Sequence, residues 1–268
     1  MQNEEVLYDV SEHIATITLN APERMNSFSE GLLNGWADGI RRAAKDDEVR
    51  VVIITGSGRA FCAGANLKAR ANEDTVLQQG ASTALRRNSL RFTVHQVAQA
   101  LQLLDKPYIA AINGAAVGAG MDMAPMADIR IASDQARFSM SYVNVGLIPG
   151  DGGSWLLPRL VGLQKALELL WSGELFGADE AHEIGYILRV VPHEELMDEV
   201  RKYAKKLASG PPIAIQLTKR LVYRGLNSTF MEGLDAAQAA MTIVQSTEDS
   251  KEGPRAFVEK RPPEFKGL

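Results

Sequence analysis

Two segments rich in glycine and alanine carry a possible main-chain chemistry. They are Gly58-Arg59-Ala60-Phe61-Cys62-Ala63-Gly64-Ala65-Asn66-Leu67 and Asn113-Gly114-Ala115-Ala116-Val117-Gly118-Ala119-Gly120-Met121-Asp122. Small side chains let a backbone come close to a ligand. The second segment opens a predicted helix, whose first N–H groups lack intrahelical partners and favour negative charge. Two such N–H groups converging from separate strand ends would form an oxyanion hole. Each donor is then worth about 3–4 kcal/mol in the transition state. The plainer reading is a pair of tight strand-to-helix turns whose small residues serve packing. A phosphate loop does not fit. Gly118-x-Gly120 lacks the third glycine of the dinucleotide fingerprint, because Met123 stands there, and no Gly-Lys-Ser/Thr occurs.

A third segment, Gly146-Leu147-Ile148-Pro149-Gly150-Asp151-Gly152-Gly153-Ser154-Trp155-Leu156-Leu157-Pro158-Arg159, sets Asp151 among glycines before an apolar run. Such an aspartate is either a helix N-cap or a general base on a glycine-lined wall. Asp122 is either a helix-start aspartate favoured by the dipole or the acid/base partner of Asp151. His95 reads as a packing residue of its helix, with a place in a ligand pocket as the alternative. His13, His182 and His193 read as surface or turn residues. Cys62 has no histidine nearby in sequence and reads as a small buried apolar group. Met121, Met123, Met126 and Met140 fit a core stripe as well as an adaptable pocket wall. No His, Cys and carboxylate set has metal spacing, so no metal is expected.

The elements that position these residues alternate. Val6–Val10 and Ile14–Leu19 predict a hairpin split by Ser11-Glu12-His13. Ser29 caps a helix whose apolar set is Leu32, Leu33, Trp36, Ala37, Ile40, Ala43 and Ala44. Val51–Ile54, Tyr108–Ile112 and Ile129–Ala132 are short apolar runs, as expected of strands buried on both faces. Leu90, Val94, Val97, Ala98, Leu101 and Leu104 mark one helix, stopped by Pro107. Part of 66–88 reads as a mobile loop. Strands alternating with helices predict a parallel α/β sheet. Beyond Leu163 the only strand signal is 187–191. A helical stripe follows from Leu196 to Leu207, then helices over 213–226, 229–247 and 249–260.

The totals set bounds. The chain has 268 residues, 46% apolar and 23% charged, with a net charge of −4. That suits one large α/β domain and argues against a nucleic-acid partner, which needs a basic surface. A single cysteine makes no internal disulfide. The first residues carry two glutamates and no basic-then-apolar leader, and no 18-residue apolar run suggests a membrane span. The expectation is a cytoplasmic protein.

In this order and spacing, the three segments resemble the crotonase (enoyl-CoA hydratase/isomerase) superfamily. The likeness extends to Arg24-Met25-Asn26, Lys106-Pro107, the stretch from Gly173 through Ala178-Asp179-Glu180-Ala181 and Ile184-Gly185-Tyr186-Ile187 to Pro192, and Phe257-Val258-Glu259-Lys260-Arg261. It implies an α/β fold: a crotonase-like ββα spiral core over 1–195 with a C-terminal helical region over 196–268. It implies an oxyanion hole from the N–H groups of Ala65 and Ala119, and CoA binding by Arg24, Ala63, Ala65, Asn66, Leu67, Lys68 and Gly120. The acyl chain would lie between the Gly120 helix and the Asp151 loop. The substrate would be an acyl-CoA, coenzyme A being part of that substrate and no separate cofactor being used. A homotrimer or a dimer of trimers is expected.

The chain departs from the hydratase pattern at both catalytic glutamates. Asp122 stands at the first position and Tyr142 at the second. Addition of water needs a base for the water and an acid for the α-carbon, and a phenol is a poor base at neutral pH. Asp151 can supply the missing carboxylate. The Pro149–Gly152 run resembles a β-diketone hydrolase branch. Trp155–Arg159 resembles a ring-opening or isomerising branch of phenylacetate breakdown, where the aspartate lies one position earlier. The expected function is enoyl-CoA hydration with Asp122 and Asp151 as acid and base and Tyr142 in the site. The alternatives are an enoyl-CoA isomerase, a C–C bond hydrolase, or a CoA-ester binder without efficient turnover.

Overall fold

The hairpin forms as expected, β1 (Val6–Ser11) running antiparallel to β2 (Ile14–Leu19). Glu12 and His13 make its turn with positive φ at both residues. This computed structural model describes residues 5–67 and 83–268, with the side chains of 83–87 left out. The expected mobile loop falls mostly outside the described residues.

Ser29 then caps α1 (Glu30–Lys45), its Oγ accepting the Leu32 N–H at 3.0 Å. Strands β3 (Val51–Gly56), β5 (Tyr108–Ile112), β7 (Ile129–Ser133) and β10 (Arg189–Val191) complete a six-stranded sheet in the order β1-β2-β3-β5-β7-β10, parallel from β2 onward. The side chains of β3 and β5 are largely apolar toward both faces because both faces are covered. One face packs on α1, where Trp36 donates its indole N–H to the Tyr108 hydroxyl at 2.8 Å. The other packs Val51, Ile53, Ile109 and Ile131 against Leu196, Val200 and Ala204 of α8 (Leu196–Ala208).

Each of three central strands hands the chain to a short strand of a second sheet: β3 to β4 (Ala60–Cys62), β5 to β6 (Ala115–Val117), β7 to β8 (Arg137–Ser139). The two-residue β9 (Phe176–Gly177) adds an antiparallel edge; it is too short to leave a sequence pattern. The bend after β5 is tight. A Cβ on Gly114 would sit 2.1 Å from the Arg59 carbonyl oxygen, so only glycine fits.

The helix predicted across 90–104 is two: α2 (Thr83–Phe92) and α3 (His95–Leu101). They break at Thr93-Val94, where the Thr93 hydroxyl donates to the Ser89 carbonyl at 2.7 Å. Two adjacent β-branched residues disfavour a continuous helix there. After β6 comes the one-turn helix α4 (Ala119–Met123). Beyond β8 lie α5 (Gly153–Val161), α6 (Leu163–Ser172) and α7 (Ala178–Glu183).

Following α8, helices α9 (Pro212–Gly225), α10 (Phe230–Gln245) and α11 (Asp249–Glu259) agree with the predicted spans to within two residues. Helix α9 buries no residue. It is held by polar ties: Lys219 to Asp128 at 2.8 Å, the Tyr223 hydroxyl to Asp128 at 2.8 Å, and Arg220 to Asp105. No helix of the described residues is long and apolar enough to cross a membrane.

Candidate active site

The two glycine-rich segments meet edge to edge. Strand β4 ends at Cys62 and β6 ends at Val117, and the strands lie side by side. A Cβ on Gly120 would fall 1.9 Å from the Cys62 carbonyl oxygen. One on Gly64 would fall 2.7 Å from the Ala119 nitrogen, at a residue whose φ is +72°. Glycine at 64 and 120 therefore lets the chain at 62–65 nest against the start of α4. Gly120, expected at the CoA site, is buried in this packing. Ala119 is the first residue of α4, so its N–H has no intrahelical acceptor. Among the described residues, neither the Ala65 nor the Ala119 N–H donates to another main-chain carbonyl.

Two buried asparagines hold these segments in place. Asn26, in a turn where Met25 and Asn26 both have positive φ, accepts the Ala21 N–H at 2.8 Å. Its amide donates to the carbonyls of Ser57, Ala60 and Phe61. Asn113 accepts the Gly56 N–H and donates to the carbonyls of Gly58 and Ala60. Main-chain bonds from Phe28 to Gly64 at 2.7 Å and from Ala63 to Met25 at 2.9 Å finish the brace. For Asn113 the signal in the sequence is a polar residue directly after an apolar strand, where unpaired carbonyls collect; Asn26, seven residues beyond β2, carries no such mark.

The carboxylates converge. Asp122, on the turn of helix that begins at Ala119, is fully buried, and Asp151 is 6% exposed. The Tyr142 hydroxyl lies 2.8 Å from Oδ2 of Asp122 and 2.8 Å from Oδ2 of Asp151. The Asp151 N–H also donates to Asp122 Oδ2, at 3.1 Å. The remaining oxygen of each aspartate, Oδ1, is buried without a well-formed hydrogen bond among the described residues, Asp122 having only a weak further contact from the Gly153 N–H. Gly153 makes room for this pair: a Cβ there would sit 1.8 Å from Asp122 Oδ1.

Burial pushes the Asp122 carboxyl up to about 6, reinforced by the Asp151 charge and partly offset by the Tyr142 hydrogen bond. Burial also raises Asp151, against the Tyr142 hydrogen bond and the nearby His95. Tyr142 is driven far above an ordinary phenol, first by burial and then by the two aspartates, so its hydroxyl stays protonated. Asp151 is not a helix cap: α5 is capped by Gly152, and the Asp151 carboxyl turns to Tyr142.

The other candidates fall into place. His95 sits 2.8 Å from the Gly150 carbonyl oxygen and so ties α3 to the Asp151 loop, a role beyond the packing expected of it. Cys62 is buried, its thiol donating to the Asn26 carbonyl and pushed up to about 12 by burial, which excludes a nucleophile. Met121, Met123 and Met140 are buried in the core. Arg24 is engaged by Glu5 at 2.8 Å and Glu23 at 3.2 Å and by the Ser29 hydroxyl at 3.0 Å. Ala63, Ala65 and Asn66 are half-buried or nearly so and Leu67 is exposed. Lys68 lies outside the described residues.

A family model for enoyl-CoA hydratase/isomerase matches residues 9–268. The chain is 37% identical to 1,2-epoxyphenylacetyl-CoA isomerase of Escherichia coli (strain K12), over 98% of each chain. It is 36% identical to short-chain-enoyl-CoA hydratase of Clostridium acetobutylicum, over 97% of each. The crystal structure of an enoyl-CoA hydratase from Bacillus anthracis superposes with a TM-score of 0.89 at 35% identity, covering 98% of this chain and all of that one. The chain belongs to the enoyl-CoA hydratase/isomerase family and has its fold. It is an enzyme of that family, which acts on acyl-CoA substrates.

Proposed function

We propose that this enzyme adds water across the 2,3-double bond of an enoyl-CoA thioester. The observation that carries the reading is the pair of buried carboxyl oxygens on Asp122 and Asp151 that lack well-formed hydrogen bonds, with Asp122 on the short helix that Ala119 begins and the Ala65 and Ala119 amides unclaimed by main-chain carbonyls. Buried polar atoms without partners are costly, and sites that bind and turn over ligands are where they persist.

The steps use these groups in turn. Asp122 Oδ2 faces two donors, the Tyr142 hydroxyl and the Asp151 N–H, which oppose the upward push of burial on its carboxyl and suit it to the ionised role above about pH 6. Asp122 is the base: it takes a proton from water while the water oxygen bonds to C3. The double-bond electrons move through C2 onto the thioester oxygen, which the Ala65 and Ala119 N–H groups hold. Asp151, as the neutral acid, gives its proton to C2, and a 3-hydroxyacyl thioester leaves. In this reading the CoA phosphates are met by Arg24 and the 63–67 segment. Exposed Phe230, Met231, Met241, Ile243, Phe257 and Val258 on the C-terminal helices support the expected homotrimer or dimer of trimers.

The tie between the two aspartates through Tyr142 favours one second reading, isomerisation, in which a proton leaves one carbon and returns to another. Incubation with crotonyl-CoA, following loss of the conjugated-thioester absorbance, tests hydration. Tight binding of the ester without turnover would remove that reading, and turnover of a 3-enoyl-CoA alone would put isomerisation in its place.

A further inference from the structure

We propose that Tyr142 is a proton relay that resets the two aspartates between turnovers without help from solvent. The inference deepens the hydration reading and rests on it. It starts from a count of hydrogens. The Tyr142 oxygen makes two contacts of 2.8 Å, one to each aspartate. A hydroxyl carries one hydrogen and fills one of them. Two ionised carboxylates would leave the other contact as oxygen against oxygen with nothing between, a repulsive arrangement in a buried site. One aspartate therefore carries a proton and donates it to Tyr142, while Tyr142 donates to the other.

The resting order is Asp151–O–H to Tyr142 to the Asp122 carboxylate. It follows because Asp122 Oδ2 also takes the Asp151 N–H. After hydration the order is reversed: Asp122 has gained a proton from water and Asp151 has lost one to C2. Two short moves restore it. The Asp122 proton passes to the Tyr142 oxygen as the Tyr142 hydrogen passes to Asp151. Two O–H bonds break and two form, charge is conserved, and no external proton carrier takes part. With Asp122 fully buried and Asp151 6% exposed, solvent is a poor competitor for this step. Tyr142 touches neither water nor thioester in the scheme. It is a positioning residue that acts through the aspartates.

The test is Tyr142→Phe, which keeps the ring and removes the hydroxyl, assayed with crotonyl-CoA at increasing concentrations of a small buffer such as imidazole. The wild type is expected to show a kcat independent of buffer. The variant is expected to lose at least about 10-fold in kcat, to recover part of it as buffer rises, and to show an altered pH profile. A variant whose kcat is unchanged, or falls without any response to buffer, overturns the relay. Should the variant not fold, the wild type is followed through its first turnover and at steady state in light and heavy water. A heavy-water slowing of steady-state turnover that exceeds that of the first turnover supports the relay, and equal slowing overturns it. Wild-type protein that binds crotonyl-CoA and never hydrates it refutes the hydration reading itself, a different outcome from either.

Discussion

Gly64→Ala probes the meeting of the two loops. Gly64 has φ of +72°, where a side chain costs about 1–2 kcal/mol. The new Cβ would start 2.7 Å from the Ala119 nitrogen and 2.8 Å from the Val117 carbonyl oxygen. Non-bonded heavy atoms settle near 3.5 Å. The chain at 64 or the amide at 119 must therefore move by roughly 0.5–0.8 Å, which adds about 1–3 kcal/mol of overpacking. Together the loss is about 2–5 kcal/mol, a drop in Tm on the order of 10 °C. The displaced atom is the amide assigned to the thioester oxygen. Losing one such donor costs about 100- to 1000-fold, so partial misplacement predicts a fall in kcat of about 10- to 100-fold with little change in KM. Crotonyl-CoA hydration at saturating ester, beside thermal unfolding, reads both numbers. A variant destabilised as expected yet within twofold of wild-type kcat would refute the role given to Ala119.

Asp151→Asn removes the acid: kcat should fall about 100-fold or more, with ester affinity, read by calorimetry, kept; an unchanged rate discards Asp151. Burial raises the Asp122 carboxyl to about 6, so the folded chain holds that proton more tightly than the unfolded chain. Its contribution to stability is then lost as pH climbs from about 4 to about 6, by about 3 kcal/mol. Asp122→Asn should therefore be inactive, melt higher than wild type at pH 8 and differ little at pH 4; a lower Tm at pH 8 contradicts the burial argument. Asn26→Ala strips hydrogen bonds from the buried Ala21 N–H and the Phe61 carbonyl. It should cost about 3 kcal/mol in urea unfolding and lower kcat as the 63–65 segment loosens, and a loss below about 1 kcal/mol would place the brace elsewhere.

The sequence made the parallel strands legible because they are buried on both faces and read as unbroken apolar runs, such as Val51–Ile54 and Tyr108–Ile112. Helix α1 was legible through its cap at Ser29 and its apolar stripe. The glycines of both loops announced close approach, though not that Gly64 and Gly120 would nest one loop against the other. Composition hid what depends on long-range geometry. The bridge from Asp122 to Tyr142 to Asp151 joins residues 20 and 9 positions apart, and no local period marks it. The Asn26 brace spans 31 to 35 positions, and no local pattern marks it. His95 looked like helix packing because its partner, the Gly150 carbonyl, lies 55 residues away. Strand β9 has two residues, too few for an alternating pattern.

The decisive measurement is a crystal structure of the enzyme holding a saturated acyl-CoA that it cannot turn over. With butyryl-CoA, the thioester oxygen should sit about 2.7–3.1 Å from the main-chain nitrogens of both Ala65 and Ala119, with C2 and C3 facing the aspartates. A thioester oxygen pointing away from either nitrogen, in a site otherwise filled by the ester, would contradict the account.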